Sequence, residues 1–224
     1  MERAKTVNLY DLNETLSGDY LRGFTYPWEA LNGIGDMIKK LGESLDPVIY
    51  EKKGDDIWIA QSAKIFPTVG AILGPCIIGE DTEVRPGAFI RGKVLIGNNC
   101  VVGNSTELKN VILFNHVQVP HYNYVGDSIL GFYSHMGAGS ITSNVKADKT
   151  LVVVKDGEER IETGLKKFGA MLGDHVEVGC NSVLNPGTVI GRNTNVYPLS
   201  SVRGVIAPDS IFKEKDSIVK KHES

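Results

Sequence analysis

The side chains best suited to chemistry lie in one stretch near the middle of the chain. It reads Val119-Pro-His-Tyr-Asn-Tyr-Val-Gly-Asp127 and is soon followed by Met136-Gly-Ala-Gly-Ser-Ile-Thr-Ser-Asn144. An imidazole such as that of His121 accepts a proton near neutral pH, because the unperturbed pKa of histidine is about 6.5. His121 is therefore a candidate general base. The competing interpretation is a histidine with a purely structural role at a corner of the fold.

A period of six residues surrounds this stretch. Apolar side chains recur at every sixth position, at Phe66, Ile72, Ile78, Val84, Ile90, Ile96, Val102, Leu108 and Phe114, and again at Leu172, Val178, Leu184, Ile190, Val196 and Val202. Neither an amphipathic helix nor a simple alternating strand has this period. It is typical of a chain that turns a corner every six residues and directs one large side chain inward. The sequence therefore predicts an all-β fold, a left-handed parallel β-helix of about six or seven coils.

The period divides the chain into three segments. We expect an N-terminal extension at residues 1–54, the β-helix at 55–207 with an inserted loop at 142–169, and a charged tail with a short helix at 208–224. Within the loop, Asp156-Gly157 predicts the turn of a hairpin. Within the extension, an amphipathic helix from Pro27 to Lys40 is predicted to cap an end or side of the β-helix. Its apolar stripe consists of Trp28, Leu31, Ile34, Ile38 and Leu41.

Composition and charge narrow the classes of function. The 224 residues include 24 Lys and Arg and 27 Asp and Glu, a net charge of −3. This balance gives no support for binding to nucleic acid or to an anionic membrane. No run in the sequence approaches the roughly 18 apolar residues that cross a bilayer, and the N-terminus lacks an apolar signal segment. We therefore expect a soluble cytoplasmic protein.

The three cysteines indicate neither a disulfide framework nor a thiolate zinc site, because none of them forms a C-x-x-C pair. Cys76 and Cys100 each follow a large apolar position of the repeat by four residues. Small side chains recur at this place, so we expect both to be small core residues rather than reactive thiols.

Four segments in order carry a resemblance to a known family. They are Val84-Arg-Pro-Gly-Ala88, Glu107-Leu-Lys109 and the two segments quoted above, and Lys109 precedes His121 by twelve residues. The family motif has R-P-G-A, a Lys twelve residues before H-x-x-Y-x-G-D, and then G-A-G-T-I-T-x-N. The chain thus resembles the C-terminal acetyltransferase domain of the bifunctional N-acetylglucosamine-1-phosphate uridyltransferase/glucosamine-1-phosphate acetyltransferase. The match covers residues 60–144 and, more loosely, 170–207.

This resemblance implies a coenzyme A-dependent acyltransferase. Such an enzyme moves an acetyl or other acyl group to the amine of an amino-sugar phosphate or nucleotide amino sugar, and His121 falls on the family's general base. The resemblance also places Arg85 and Lys109 on the sugar phosphate, Tyr124, His135 and Asn144 on the sugar, and Cys180 and Pro198 near acetyl-CoA. It implies a homotrimer with active sites between subunits, and no metal.

The chain departs from the family motif at several places. His135 stands where the family has Asn, and Cys180 where it has Ser. Residues 145–169 replace the family's Lys-containing loop, and no Gly-rich nucleotide-binding segment predicts a uridyltransferase domain. The segment Glu162-Thr-Gly-Leu-Lys-Lys-Phe-Gly-Ala170 instead resembles shorter, sugar-nucleotidyltransferase-like relatives. These differences leave the identity of the acceptor open.

Two other interpretations stay open on the sequence. The γ-type carbonic anhydrases have similar repeats and hold zinc with three histidines, two of them five residues apart. His116 and His121 have this spacing, and His135 is the third candidate ligand. Against this, no histidine precedes His116, and Arg91-Gly92-Lys93 stands in place of that family's R-G-D. The remaining interpretation is a trimeric scaffold without catalytic activity.

Overall fold

The computed structural model describes residues 1–214 and 217–220. Helices are confined to the N-terminal extension of this described part. They are a 3₁₀ helix at Glu2–Ala4, α1 at Thr6–Leu9, α2 at Gly18–Leu21, a second 3₁₀ helix at Pro27–Gly33 and α3 at Ile34–Gly42.

Short strands make up most of the rest. In chain order they are β1 (Tyr50–Gly54), β2 (Ile57–Ala60), β3 (Lys64–Ile65), β4 (Ala71–Ile72), β5 (Cys76–Ile78), β6 (Glu83–Val84), β7 (Phe89–Ile90), β8 (Val94–Ile96), β9 (Val101–Asn104), β10 (Glu107–Leu113), β11 (Gln118–His121), β12 (Tyr124–Leu130), β13 (His135–Met136), β14 (Ile141–Thr142), β15 (Val153–Asp156), β16 (Glu159–Glu162), β17 (Ala170–Leu172), β18 (Glu177–Val178), β19 (Val183–Leu184), β20 (Thr188–Ile190), β21 (Asn195–Val196), β22 (Ser201–Val202), β23 (Val205–Ile206), β24 (Ser210–Glu214) and β25 (Ser217–Lys220).

Most strands stack in parallel on three faces of a prism. The first face contains β2, β5, β8, the C-terminal parts of β10 and β12, then β17, β20 and β23. The second contains β3, β6, β9, β11, β13, β18, β21 and β24. The third contains β4, β7, the N-terminal parts of β10 and β12, then β14, β19 and β22. The fold class predicted from the hexapeptide repeat, a parallel β-helix, is confirmed.

The six-residue positions fill most of the core, but the register shifts more than once. Ile65 rather than Phe66 pairs with Val84, so the predicted inward position at Phe66 was wrong, and Leu113 pairs with Leu130 seventeen residues further on. Fully buried side chains include Ile78, Val84, Ile90, Ile96, Val102, Leu108, Leu172, Leu184, Ile190 and Val202. Ile96 pairs with Leu113, however, so that coil has 17 residues instead of 18. The prediction that Phe114 occupies an inward position of the repeat was wrong for this reason, since Leu113 occupies that position. Phe114 is also fully buried, but its ring packs 5.0 Å from that of Tyr10 in the extension.

Corner residues adopt a left-handed backbone conformation that repeats from coil to coil. One corner has His116, Tyr133 and His175 at φ values of 61°, 56° and 58°, and another has Lys93, Asn110 and Asp127 at 55°, 56° and 49°. Because the coils stack in register about 4.8 Å apart, corner side chains of neighbouring coils form columns. These columns determine which polar side chains meet.

The N-terminal extension covers one side of the prism. Helix α3 contacts β5, β8 and β10, and Leu9, Leu21 and Trp28 are nearly inaccessible to solvent. The prediction of one continuous helix over Pro27–Lys40 was wrong in part, since a 3₁₀ helix ends at Gly33 before α3 begins. A Cβ on Gly33 would lie 2.4 Å from the hydroxyl of Tyr20, so the tight packing there suits the smallest residue.

The inserted loop lies between β14 and β17, and Leu130 pairs directly with Leu172 across it. Strands β15 and β16 form the predicted antiparallel hairpin. Asp156 pairs with Glu159, so the turn residues are Gly157 and Glu158 rather than Asp156 and Gly157. Gly157 has a φ of 57° at the first turn position, which explains the one-residue shift.

The short helix predicted in the tail was wrong within the described residues. Ser210–Glu214 forms β24, and Phe212 stacks on Val196 as the next layer of the second face. Ser217–Lys220 forms β25, which pairs with β24 in the antiparallel sense. A β-helix end exposes unpaired backbone groups, and a hairpin satisfies them. Residues 215, 216 and 221–224 of that predicted tail lie outside the described residues.

None of the helices in the described part is long and apolar enough to cross a membrane. The expectation of a cytoplasmic protein, and the exact boundaries of the three segments, stay predictions.

Candidate active site

His121 lies in a column of residues along one edge of the prism, where the second face meets the third. Backbone N–H groups of Tyr122, Gly139, Asn181 and Leu199 donate to the carbonyls of Asn104, His121, Ala138 and Cys180 at 2.9–3.0 Å. We call the column Asn104, His121, Ala138, Cys180 and Pro198 the His121 edge. It brings together three of the residues proposed from the sequence, namely the base and both acetyl-CoA contacts.

The backbone around His121 is held by close packing and by a buried amide. A Cβ on Gly103 would lie 1.5 Å from the carbonyl oxygen of Pro120, so only glycine allows β11 to lie this close to β9. The backbone N–H of His121 donates to Oδ1 of Asn123 at 3.1 Å. Nδ2 of Asn123 donates in turn to the carbonyls of Gly137 and Ser140. The histidine therefore projects from a fixed support.

The imidazole of His121 itself has no partner in the described part of the chain. The residue is exposed, and within residues 1–214 and 217–220 its ring makes no hydrogen bond or ring contact. Three large side chains that flank this edge are also exposed: Tyr122 next to His121 by 61%, and Tyr197 and Leu199 on either side of Pro198 by 46% and 79%. An unpaired imidazole beside exposed apolar surface is an arrangement suited to a ligand or to another protein surface.

A second group of polar side chains surrounds Asp127, and we call it the Asp127 cluster. Nζ of Lys109 donates to Oδ1 and Oδ2 of Asp127 at 2.8 and 3.1 Å. Nδ2 of Asn110 donates to Oδ1 at 2.9 Å, and Nδ2 of Asn144 to Oδ2 at 2.5 Å. Asp127 is 3% exposed. A buried carboxylate with three donors is fully satisfied, so the cluster fixes Lys109 and Asn144 in place.

Tyr124 joins this cluster through Asn144, whose Nδ2 donates to the tyrosine hydroxyl at 3.2 Å. Burial, with the nearby charges of Asp127 and Glu107, raises the pKa of Tyr124 above its usual value. The side chain therefore stays a neutral phenol near neutral pH and keeps its O–H as a donor.

Sequence reasoning missed the two residues that organise these groups. Asp127 and Asn123 both stand inside the histidine-containing stretch, but neither was proposed as a site residue. The available signal was a polar residue about one coil beyond a proposed one: Asp127 follows Lys109 by 18 residues.

Arg85 and His135 do not join the Asp127 cluster. Nε of Arg85 donates to Glu83 at 2.9 Å, and Nδ1 of His135 lies 2.7 Å from Oε2 of Glu177. Arg85 follows β6 on the second face, whereas Lys109 lies in β10 on the third. The two cations proposed to share a sugar phosphate are therefore not brought together within one chain.

The three histidines proposed as alternative zinc ligands have separate surroundings. His116 stacks on Tyr133 with ring centroids 4.4 Å apart, far along the coil from His121, and His135 pairs with Glu177. In the part of the chain that the structure describes, no group of three His, Cys, Asp or Glu side chains is placed to hold a metal ion.

Two of the three cysteines are buried and one is exposed. Cys76 and Cys100 are buried, which confirms the prediction of small core residues, and Cys180 is exposed. Burial raises the pKa of both Cys76 and Cys100 to about 12.

Comparison with protein families places this geometry in a known group. A family model described as the GMPPB C-terminal domain matches residues 72–190, more than half of the 224-residue chain. The chain belongs to the GMPPB C-terminal domain family. The sequence-based resemblance to nucleotidyltransferase-linked acetyltransferase domains is confirmed.

Curated relatives are similar over most of this chain. The Bifunctional protein GlmU of Methanococcus aeolicus is 32% identical over 207 residues, which cover 84% of this chain and 49% of the relative. The Bifunctional sugar-1-phosphate nucleotidylyltransferase/acetyltransferase of Sulfurisphaera tokodaii is 32% identical over 160 residues, which cover 63% of this chain and 40% of the relative. The chain thus spans about half the length of the first of these relatives and less of the second.

Solved structures include similar proteins at lower identity. A hexapeptide transferase family protein from Anaplasma phagocytophilum is 14% identical, with 74% of this chain and 79% of that chain covered and a TM-score of 0.48.

Proposed function

We propose that the protein is an acyltransferase that moves an acetyl or other acyl group from coenzyme A to the amine of an amino-sugar phosphate or nucleotide amino sugar. One observation carries this proposal: the exposed imidazole of His121 has no partner among the described residues and lies on the edge that also carries Cys180 and Pro198. The name of the Sulfurisphaera tokodaii relative, which pairs a nucleotidylyltransferase with an acetyltransferase, supports the same chemistry.

The proposed reaction uses His121 as the general base. The amine nitrogen attacks the thioester carbonyl carbon, the imidazole accepts the proton that the amine loses, and the C–S bond breaks as the tetrahedral intermediate collapses. The proton passes from the imidazolium to the departing thiolate, so CoA leaves as a free thiol. Histidine suits both transfers, because its ordinary pKa lies close to neutral pH.

The His121 edge offers a path for the acyl donor. Cys180 lies two coils beyond His121, which corresponds to about 10 Å along the column. In our proposal the pantetheine arm follows this column, with Cys180 and Pro198 against it and the thioester at His121. The thiol of Cys180 takes no part in the chemistry.

The proposed acceptor contacts use donors that the chain leaves available. The ammonium of Lys109 has three hydrogens, and its two contacts to Asp127 leave one of them for a ligand. Arg85 uses only Nε within the described residues, so its two terminal nitrogens can bind phosphate oxygens. Tyr124, His135 and Asn144 are proposed to contact the sugar.

We further propose a homotrimer in which the His121 edge faces a neighbouring copy. The exposed Tyr122, Tyr197 and Leu199 are an apolar surface that a second copy would cover. Arg85 and Lys109 lie on different faces of one chain, so a site that uses both is completed more readily between copies.

The test is a thiol-release assay with acetyl-CoA and a panel of amino sugars, free, phosphorylated or nucleotide-linked. We expect release of one thiol per acylated amine with at least one phosphorylated or nucleotide-linked acceptor. Light scattering should give a mass close to three chains of 24.4 kDa. Absence of thiol release across the panel, or one zinc ion per chain in the same sample, would overturn the proposal.

A further inference from the structure

One face of the inserted hairpin lines a cavity. Side chains alternate between the two faces of a strand pair, so Val153, Lys155, Arg160 and Glu162 share one face. Together with Lys146, Pro186, Arg203 and Gly204, they line a cavity of about 340 Å³. The hairpin and the last coils of the β-helix therefore form the two walls of a groove.

Positive charges face each other in this groove. Lys155 pairs directly across the ladder with Arg160, and like charges opposite one another destabilise a strand pair. Within the described residues, the side chains of Lys155, Arg160 and Arg203 form no ion pair or hydrogen bond. Lys146 is paired with Asp148 at 3.3 Å, and Glu162 is the one carboxylate among the described residues that line this cavity. The groove thus has an excess of positive charge.

The opposite face of the hairpin is fixed by the N-terminal segment. Nε of Arg3 donates to Oδ2 of Asp156 at 2.7 Å, and a second guanidinium nitrogen contacts Oδ1. The side chain of Asp156 is only 10% exposed. Because it lies on the face turned away from the groove, Asp156 does not neutralise Lys155 or Arg160.

Close packing against the last coil holds the basic wall in position. Gly204 has a φ of 76°, and a Cβ there would lie 2.8 Å from the carbonyl oxygen of Lys155. From Lys155 and Arg203 a second cavity of about 530 Å³ continues to an apolar end formed by Val205, Ile206, Phe212 and Ile218. A basic centre next to an apolar end suits a ligand with phosphates and a flat ring.

We propose that this groove binds the diphosphate group of a nucleotide. Lys155, Arg160 and Arg203 hold the phosphate oxygens, and the apolar end contacts the base. Arg203 follows β22 at the corner between the third and first faces, so this site is separate from the His121 edge and does not rest on the proposed reaction. The diphosphate has two possible sources, the ADP portion of coenzyme A or a separate nucleotide.

The test is calorimetric titration of the full chain with inorganic pyrophosphate and with ADP at low salt. We expect both to bind, ADP more tightly because of its base. Arg203→Ala and the double variant Lys155→Ala with Arg160→Ala should each weaken binding about tenfold or more. Lys40→Ala, which removes an exposed cation on α3, is the matched control and should bind like the wild type. Circular dichroism checks that each variant is folded.

A competition experiment distinguishes the two sources. If CoA displaces pyrophosphate and Arg203→Ala weakens CoA binding, the groove holds the phosphates of CoA. If CoA and ADP bind together, the groove holds a separate nucleotide. No heat of binding with pyrophosphate, or equal affinities in the groove variants and Lys40→Ala, would overturn the proposal. His121→Ala should bind pyrophosphate like the wild type. The binding test therefore does not depend on whether the proposed reaction is correct.

Discussion

Two columns of the β-helix carry histidines, yet the side chains around those histidines differ. At the aromatic corner, His116 stacks on Tyr133 with ring centroids 4.4 Å apart, and Tyr133 stacks on His175 at 5.7 Å. On the His121 edge, the residues one coil away are Asn104 and Ala138. The rings of one column stack on each other, whereas the imidazole of the other column has no ring contact among the described residues.

The difference teaches how neighbouring coils determine the surroundings of a ring in a repeat fold. Side chains in a column lie about 4.8 Å apart, so the size of the residue one coil away decides whether a ring is covered. Where the neighbours are aromatic, the rings of successive coils stack on one another. Small neighbours leave the His121 imidazole free to meet a ligand.

The largest expected effect is on catalysis. His121→Ala should lower the rate of thiol release about 10²- to 10⁴-fold, because general-base catalysis contributes that much. His175→Ala, which removes an exposed histidine from the aromatic corner, should change the rate by less than about twofold and serves as the control.

Equal losses in the rate of thiol release in both histidine variants would contradict the proposed difference between the two columns. A normal rate in His121→Ala would contradict the assignment of the base. The free energy of unfolding of both variants should be measured alongside, since a stable fold is needed to interpret either rate.

The next largest effect is on stability at the Asp127 cluster. Asp127→Ala should lower the free energy of unfolding by about 2–4 kcal/mol, because it removes the acceptor that the buried Asn110 shares with Lys109 and Asn144. Asp55→Ala, at an exposed carboxylate, should cost less than about 0.5 kcal/mol. Urea denaturation monitored by circular dichroism measures both.

A loss for Asp127→Ala no greater than that for Asp55→Ala would show that the cluster is solvated rather than buried. The cluster would then resemble the His121 edge, and its proposed role in fixing Lys109 and Asn144 would fail.

Much of this fold follows from a local pattern, and the exceptions have local causes. The period of six predicts the faces and the core, because each face of each coil has a large apolar residue at the same position of its six-residue repeat. The 17-residue coil ending at Leu113 escaped prediction, because Leu113 and Phe114 are both apolar and either fits the pattern. The extension has no such period, so the contact between Tyr10 and Phe114 could not be predicted.

The candidate site was predictable only in part. The residue type and surroundings of His121 indicated a candidate base, and the resemblance to a known family indicated Tyr124 and Lys109. Their partners lie about one coil away, so Asp127 could be found only once the length of that coil was known. The separation of Arg85 from Lys109 depends on which face each occupies, and a motif written along one line of sequence does not contain that information.

A smaller effect distinguishes the two columns by stability. Tyr133→Ala should lower the free energy of unfolding by about 1 kcal/mol, since it removes stacking with both His116 and His175. Tyr122→Ala, next to His121 and 61% exposed, should leave the unfolding of a single chain nearly unchanged but weaken trimer formation. Urea denaturation and light scattering at several protein concentrations separate the two results. A greater loss of chain stability in Tyr122→Ala than in Tyr133→Ala would reverse the assignment of the two columns.

The mildest change to the protein concerns the thiols, and it probes the His121 edge without changing the fold. Burial raises the pKa of Cys76 and Cys100 to about 12, so at pH 8 only about one in ten thousand of these thiols is ionised, and neither is accessible. Cys180 is exposed, so a thiol reagent should modify one thiol quickly in the folded protein and all three in denaturant.

A bulky adduct on Cys180 should block thiol release from acetyl-CoA, because it occupies the proposed path of the pantetheine arm. Cys180→Ser should resist the reagent and keep its activity. Full activity in the modified wild type would show that the donor does not follow this edge, whatever the role of His121.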